Sequence, residues 1–256
     1  MNNNLHYMEI EKFKKLIKQN PFNDEIYYQL GCAYDRYALP ELAIDAFLRV
    51  IELVPNDDCV LDYLGTLYNE VGKQSEAIKY HAAAIDNNPE ESSYYYNLGN
   101  AYLDLGDYKL ALQAYRKSIS IDDQQADVFD NMGIALLELG ETEAATLAFN
   151  QALTLDKQHG QARLRLADCL VRLKKLDSAI AQYKKIIKYT PGEHQAWLGL
   201  AFAQRDAGLL DAAMQTLSGA LEKFPGDKFM HLHLAEIYQS KGMVNLAQVH
   251  FQQASL

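Results

Sequence analysis

The sequence predicts an all-α solenoid, in which helical hairpins stack side by side behind one leading helix. Three observations carry this. Prolines recur every 34 residues, at Pro21, Pro55, Pro89, Pro191 and Pro225, with Asp123 and Lys157 at the two grid points between. Small residues keep the same period. One series is Ala43, Ala77, Ala111, Ala145, Ala179, Ala213 and Ala247; the other is Gly31, Gly65, Gly99, Gly133, Ala167, Ala201 and Ala235. Within a period the apolar spacing is helical, as in Tyr95, Leu98, Gly99 and Tyr102, then Leu110, Ala111, Tyr115 and Ile119. Self-similarity at such a period marks units that cannot bury their apolar faces alone and stack to do so.

The elements follow in order. Residues 1–23 hold a lone helix over 5–19, with Ile10, Phe13, Leu16 and Ile17 facing the next unit and Glu9 facing water. Seven units follow at 24–57, 58–91, 92–125, 126–159, 160–193, 194–227 and 228–256. Each reads as a helix A, a tight turn and a helix B. Gly72, Gly106, Gly140, Gly208 and Gly242 stand at the turn, where a helix ends in a left-handed residue. The small residues let the two helices approach closely, and the proline ends the unit because it cannot continue a helix. Pro40 lies off the proline grid, where it starts a helix. The fifth unit departs most, with Arg163 in a large-apolar slot, Lys174 in the turn-glycine slot and Gly160 opening the helix. Arg163 is expected to lay its stem along the core; a softer joint at this unit is the other reading. In the last unit the outward B positions turn polar, at Gln248 and Ser255, as a solenoid end requires. A monomer is the expected state.

These residues closely resemble the tetratricopeptide repeat (TPR). The family pattern is an aromatic or large apolar residue, Leu-Gly, Tyr, then Ala, an aromatic, Ala and Pro. Tyr27, Leu30, Gly31, Tyr34, Ala43, Phe47 and Pro55 carry it in the first unit, and Tyr95, Leu98, Gly99, Tyr102, Ala111 and Tyr115 in the third. The resemblance covers essentially the whole chain. It implies a right-handed superhelix whose A helices line a concave surface. It also implies a non-catalytic protein–protein interaction scaffold or adaptor. An assembly or secretion chaperone shielding an amphipathic helix, or a regulatory subunit of an enzyme complex, are the alternatives.

On that implied surface the inward positions are Tyr28, Asp62, Thr66, Asn69, Tyr96, Asn100, Asp127 and Asp130 in the first half, and Leu164, Leu198, Phe202, Arg205, Phe229 and Leu232 in the second. The first set is acidic and rich in Tyr and Asn. It suits an extended basic segment, with Asn69 and Asn100 bonding its backbone. The second set is apolar and suits an amphipathic helix. In the run Tyr94–Tyr95–Tyr96, the three rings separate into one toward the neighbouring unit, one between helices A and B, and one into the groove. Arg205 is the one cation among these inward positions, which argues against the TPR mode that grips a C-terminal carboxylate with Lys, Arg and Asn.

Composition narrows the partners. The net charge is −10. Residues 1–125 hold 11 Lys+Arg against 20 Asp+Glu, so nucleic acid and anionic membranes are poor partners. No apolar run reaches the length of a membrane span and no signal peptide is evident, so a cytoplasmic protein is expected. Cys32, Cys59 and Cys169 form no metal or disulfide framework, and reduced thiols are expected. No Walker loop or dinucleotide fingerprint occurs, and no cofactor is expected. His231 and His233 lie on different helix faces, which is wrong for one metal; His81 fills an aromatic slot and His231 a large-residue slot, and both of these read as packing residues.

Overall fold

The computed structural model describes residues 2–255. Among them are fifteen α-helices and no strand. The outermost residues of the first and last sequence units, 1 and 256, lie outside the described residues. The chain forms two compact units, one up to Leu139 and one from Gly140. The first holds α1 (Asn2–Gln19), α2 (Asp24–Arg36), α3 (Pro40–Leu53), α4 (Asp58–Glu70), α5 (Gln74–Asn87), α6 (Ser92–Leu105), α7 (Tyr108–Ile121) and α8 (Ala126–Glu138). The second holds α9 (Thr142–Leu155), α10 (Gly160–Arg172), α11 (Leu176–Tyr189), α12 (His194–Asp206), α13 (Leu210–Leu221), α14 (Lys228–Ser240) and α15 (Val244–Ser255). Even-numbered helices are of A type. In each unit every helix packs on the next in sequence, and neighbouring A helices also touch, α4 on α6, α6 on α8 and α10 on α12. The division at Leu139–Gly140 leaves the divergent fifth sequence unit wholly inside the second body, so it is not the boundary between them.

Several helix starts have a chemical cause. Asn23, Asp57, Asp107 and Asp227 precede α2, α4, α7 and α14, and each side chain accepts from the amide three residues on, at 2.8–3.3 Å. Pro40 stands in the first turn of α3. The A-helix start is also tied back to the preceding turn. Tyr27, Trp197 and His231 donate to the carbonyls of Pro21, Pro191 and Pro225 at 3.3, 3.0 and 3.1 Å. Arg163 makes the same bond to the Lys157 carbonyl and donates to Gln182 Oε1 at 3.1 Å. Its guanidinium therefore takes the part that the aromatic donors Tyr27, Trp197 and His231 play in the first, sixth and seventh repeats, a role beyond laying its stem along the core.

The A–B contact is an aromatic ring laid on a glycine. A Cβ added at Gly31, Gly65 or Gly99 would stand 2.7, 2.6 or 2.4 Å from Phe47, His81 or Tyr115. Gly199 plays this part for Tyr183 of the preceding helix α11, also at 2.4 Å. It lies outside the small-residue series and was not singled out from the sequence.

At the A–B turns the backbone is left-handed. Gly72, Gly106, Gly140, Gly208 and Gly242 have φ between 74° and 83°, and Ala38 and Lys174 hold the same turn at 54° and 57°. A side chain there costs about 1–2 kcal/mol, against about 0.5–1 kcal/mol for the extra unfolded-state freedom of glycine. Lys174→Gly and Ala38→Gly are therefore expected to raise thermal stability by about 1 kcal/mol each, read as a higher Tm by circular dichroism. An unchanged or lower Tm would show that the turn is not strained.

Two sequence expectations change. Glu9 does not simply face water: it accepts from Arg36 at 3.0 Å and from the Tyr37 hydroxyl, pinning α1 to the end of α2. The α15 surface is mixed rather than polar. Gln248 is exposed, but so are Val244, Leu246 and Val249, at 62, 47 and 52 %.

Candidate functional site: the A-helix faces

In the first unit the inward face of the A helices is a hydrogen-bonded ladder. Asp62 on α4 accepts from the buried His81 ring at 2.6 Å and from Asn97 Nδ2 on α6 at 2.8 Å. Asn97 lies one repeat beyond Tyr63, whose hydroxyl donates to Asp35. Asn131, one repeat further, donates to the Tyr96 hydroxyl at 3.2 Å and to Asn100 Oδ1 at 2.8 Å. Tyr115 donates to the same Asn100 oxygen at 2.8 Å. Asn69 donates to Asp104 at 2.6 Å.

These bonds revise the expected uses of several side chains. Asn100 Oδ1 is engaged within the protein, whereas Asn69 spends only its amide N–H and its buried Oδ1 accepts no bond. Asp130 is 5 % exposed, too buried to be an open groove position. Thr66 returns its hydroxyl to the Asp62 carbonyl at 3.3 Å. Tyr28 is exposed and meets Phe47 edge-on with ring centroids 5.6 Å apart, and Asp127 is exposed.

The three consecutive tyrosines do separate. Tyr94 is buried and donates to Asp58 on α4 at 3.0 Å. Tyr95 is half-buried, with the Lys117 ammonium of α7 5.7 Å from its ring centre. Tyr96 is half-buried beside Tyr115, at 6.2 Å. Burial raises the pKa of both Tyr96 and Tyr115, so both rings stay neutral hydrogen-bonding groups near neutral pH.

The residues missed from the sequence are Tyr63, Asn97, Asn131 and, in the second unit, His233. They occupy one column at the 34-residue period, next to a column that was read as inward. Their polarity at a fixed offset was the available signal.

In the second unit the face is apolar. Phe202 on α12 packs edge-to-face with Phe229 and His233 on α14, at 6.1 and 4.7 Å, and Phe229 meets His233 at 4.3 Å. The Arg205 guanidinium lies 5.0 Å from the Phe202 ring centre, a cation–π distance. Phe229 remains 50 % exposed. With Lys228, Leu232, Phe251, Ala254 and Ser255 it also lines an open surface depression of about 380 Å³ on α14 and α15. Leu198 is half-buried on the α12–α14 core. Leu164 is 6 % exposed and belongs to the interior, not to an open surface. Asp168 accepts from the Tyr183 hydroxyl, and burial raises its pKa.

Asp57, Asp58 and Cys59 bring three metal-type ligand atoms within 4.8 Å of one another. Both carboxylates already serve the protein. Asp57 caps α4, and Asp58 accepts from Asn88 and Tyr94, both at 3.0 Å.

Models of the tetratricopeptide repeat family match residues 24–57, 92–125, and 136–201 with 173–235, together more than half of the chain. The chain belongs to the tetratricopeptide repeat family. No curated protein matched in a sequence comparison. Among solved structures, MamA is 28 % identical over 58 % of this TPR chain and 87 % of its own, with a TM-score of 0.56. YrrB, a TPR protein with an unusual peptide-binding site, is 23 % identical over 75 % of this chain and 99 % of its own, with a TM-score of 0.65. The C-terminal part of a TPR repeat-containing protein from Cytophaga hutchinsonii is 22 % identical over 90 % and 94 %, with a TM-score of 0.73. The last two speak for the fold alone. TPR proteins are in general interaction modules rather than catalysts, and this chain is an array of that module. No helix among the described residues is long and apolar enough to cross a membrane.

Proposed function

We propose that this TPR protein is a non-catalytic scaffold, acting as a monomer, that holds a segment of a partner protein against its A-helix faces. One observation carries the reading. Phe229 stays half exposed inside an aromatic cluster on α12 and α14 and is continuous with Leu232, Phe251 and Ala254, and a contiguous apolar patch of this kind is the surface a partner segment covers. The segment that fits there is amphipathic, with an apolar edge against Phe202, Phe229, Leu198 and Leu232. The first unit offers a different surface, polar and acidic, where Tyr28 and Asp127 are exposed. A basic extended stretch suits it. Asp62, Asn69, Tyr96 and Asn100 act there mainly as the framework that sets the spacing of the A helices.

The test is affinity capture from the source lysate with the full chain, comparing wild type, Phe202→Ala/Phe229→Ala and Leu147→Asp. Leu147 is 72 % exposed on the B-type helix α9 and controls for a general loss of surface apolarity. Partners are expected to disappear with the aromatic double variant and to remain with Leu147→Asp, both variants keeping wild-type helicity. The reverse pattern would move binding to the B-helix side and overturn the proposal.

A further inference from the structure

Two columns of the B helices are closed in every repeat but the last. The first is Phe47, His81, Tyr115, Phe149, Tyr183 and Leu217, each 0–2 % exposed. Its seventh member, Phe251 on α15, is partly exposed. The second column lies three residues on, from Val50 to Ala220, and is 0–6 % exposed. Its seventh member, Ala254, is partly exposed too. The cover in the earlier repeats is the following A helix, since each A-type helix packs on the B-type helix before it. Tyr63 of α4 meets Phe47 of α3 edge-on, with ring centres 5.0 Å apart, and Gly199 of α12 lies under Tyr183 of α11. On α14 the covering residues are Met230, Leu234 and Ile237, packed in one core with Leu217 and Ala220. Among the described residues no helix follows α15. Phe251 and Ala254 therefore line an open depression with Leu232, at the place in the repeat where an A helix lies elsewhere.

We propose that this end face docks an amphipathic helix of a partner protein in the register of an A helix. The recurring cover defines the helix that fits. It carries a leucine at i+4, as in Leu64, Leu98, Leu166, Leu200 and Leu234, between small or apolar residues at i and i+7, as in Ala196 and Ala203. Position i+3 meets the ring of the B helix, where Gly199 and Tyr63 show that a glycine or an edge-on ring fits. A second copy of this chain has no such helix to lend, because each A-type helix among the described residues already covers a B-type helix of its own. In a stacked array each repeat contacts only its neighbours, so a helix added at the end gains an interface without disturbing the rest. Gln248 and Ser255 stand exposed where the sixth repeat packs Met214 and Leu221 on its core. The end face thus buries less apolar area than an inner interface and holds its helix reversibly. The inference rests on the docking role proposed above and extends it from the A-helix faces to the end of the stack.

The experiment uses the full chain and a fluorescent peptide of about fifteen residues, cross-linked to hold a helix. The peptide carries Ala, Gly, Leu and Ala at i, i+3, i+4 and i+7, the face that α12 turns to α11, with polar residues elsewhere. A control peptide has Glu in place of that Leu. Fluorescence anisotropy is expected to show binding of the first peptide and none of the second. Phe251→Asp should weaken the first on the order of 10-fold or more, and Gln248→Leu/Ser255→Leu, which restores the apolar outward positions, should tighten it on the order of 10-fold. A gain of binding does not arise from a disturbed α15, so the double variant decides the matter even where Phe251→Asp loosens that helix. Phe202→Ala, in the cluster on the A-helix faces, should leave the affinity unchanged. No binding, or binding that neither α15 variant moves, would overturn the end site, while capture from the lysate still tests docking on the A-helix faces. Binding lost with Phe202→Ala but not with Phe251→Asp would place the peptide on those faces and also overturn it. Sedimentation velocity over a range of protein concentrations is expected to show a monomer. A dimer that Phe251→Asp dissolves would mean that a second copy fills the face, and the partner helix would be ruled out.

Discussion

Gly99→Ala is expected to destabilise the protein by about 1–3 kcal/mol, although helix propensity alone favours the change. Alanine is the better helix former by about 1 kcal/mol in an ordinary helix interior. At this position the new Cβ would stand 2.4 and 2.6 Å from Tyr115 Cε1 and Cδ1. Tyr115 cannot yield cheaply. Its ring is fully buried, and its hydroxyl is held by Asn100 at 2.8 Å. Forcing a methyl into a packed core costs about 1–3 kcal/mol, and moving the ring also strains the Asn100–Asn131 ladder beyond it. Gly160→Ala is the control, because nothing lies within 4 Å of a Cβ at Gly160. It should be neutral or slightly stabilising. Urea denaturation of both variants checks the pair. A Gly99→Ala protein as stable as wild type would mean that the A and B helices separate without cost, and the close-approach account would fail.

Asp62→Ala is expected to cost about 1–3 kcal/mol, because it strands two donors at once. The His81 ring is 1 % exposed and meets Asp62 at 2.6 Å. Asn97 loses its 2.8 Å acceptor on the neighbouring A helix. Asp62→Asn keeps one acceptor oxygen and should lie between Ala and wild type. The comparison decides what Asp62 is for. A ligand-binding carboxylate would lose affinity and keep stability; a framework carboxylate loses stability first. Denaturant midpoints and partner capture, measured on the same three proteins, separate the two. Full stability in Asp62→Ala would sink the framework role.

The helices were legible in the sequence because their causes are local and repeat. Proline cannot continue a helix, the turn glycines adopt positive φ, and ring-on-glycine contacts recur at Gly31, Gly65 and Gly99. Departures were readable as departures, but not their solutions. Arg163 in a large-apolar slot looked like a snorkelling cation, and it makes the turn-carbonyl bond that Tyr27 and Trp197 make elsewhere. Lys174 in a glycine slot keeps the left-handed turn at the expense of strain.

The sequence by itself determined the period, the hairpin unit, the small residues at each helix contact and the contrast between a polar first half and an apolar second half. Only the tertiary structure decided which inward-pointing groups are spent and which are open. Asp62 and Asn100 are consumed by partners that include groups 31–35 residues away, Asn69 keeps an unpartnered Oδ1, Asp130 and Leu164 are buried, and Phe229 is left half exposed. The reason is geometric. A column of side chains follows from the repeat, but whether two columns on adjacent helices come within 3 Å depends on the offset and crossing of those helices. Side-chain packing sets that offset, and no single repeat contains it.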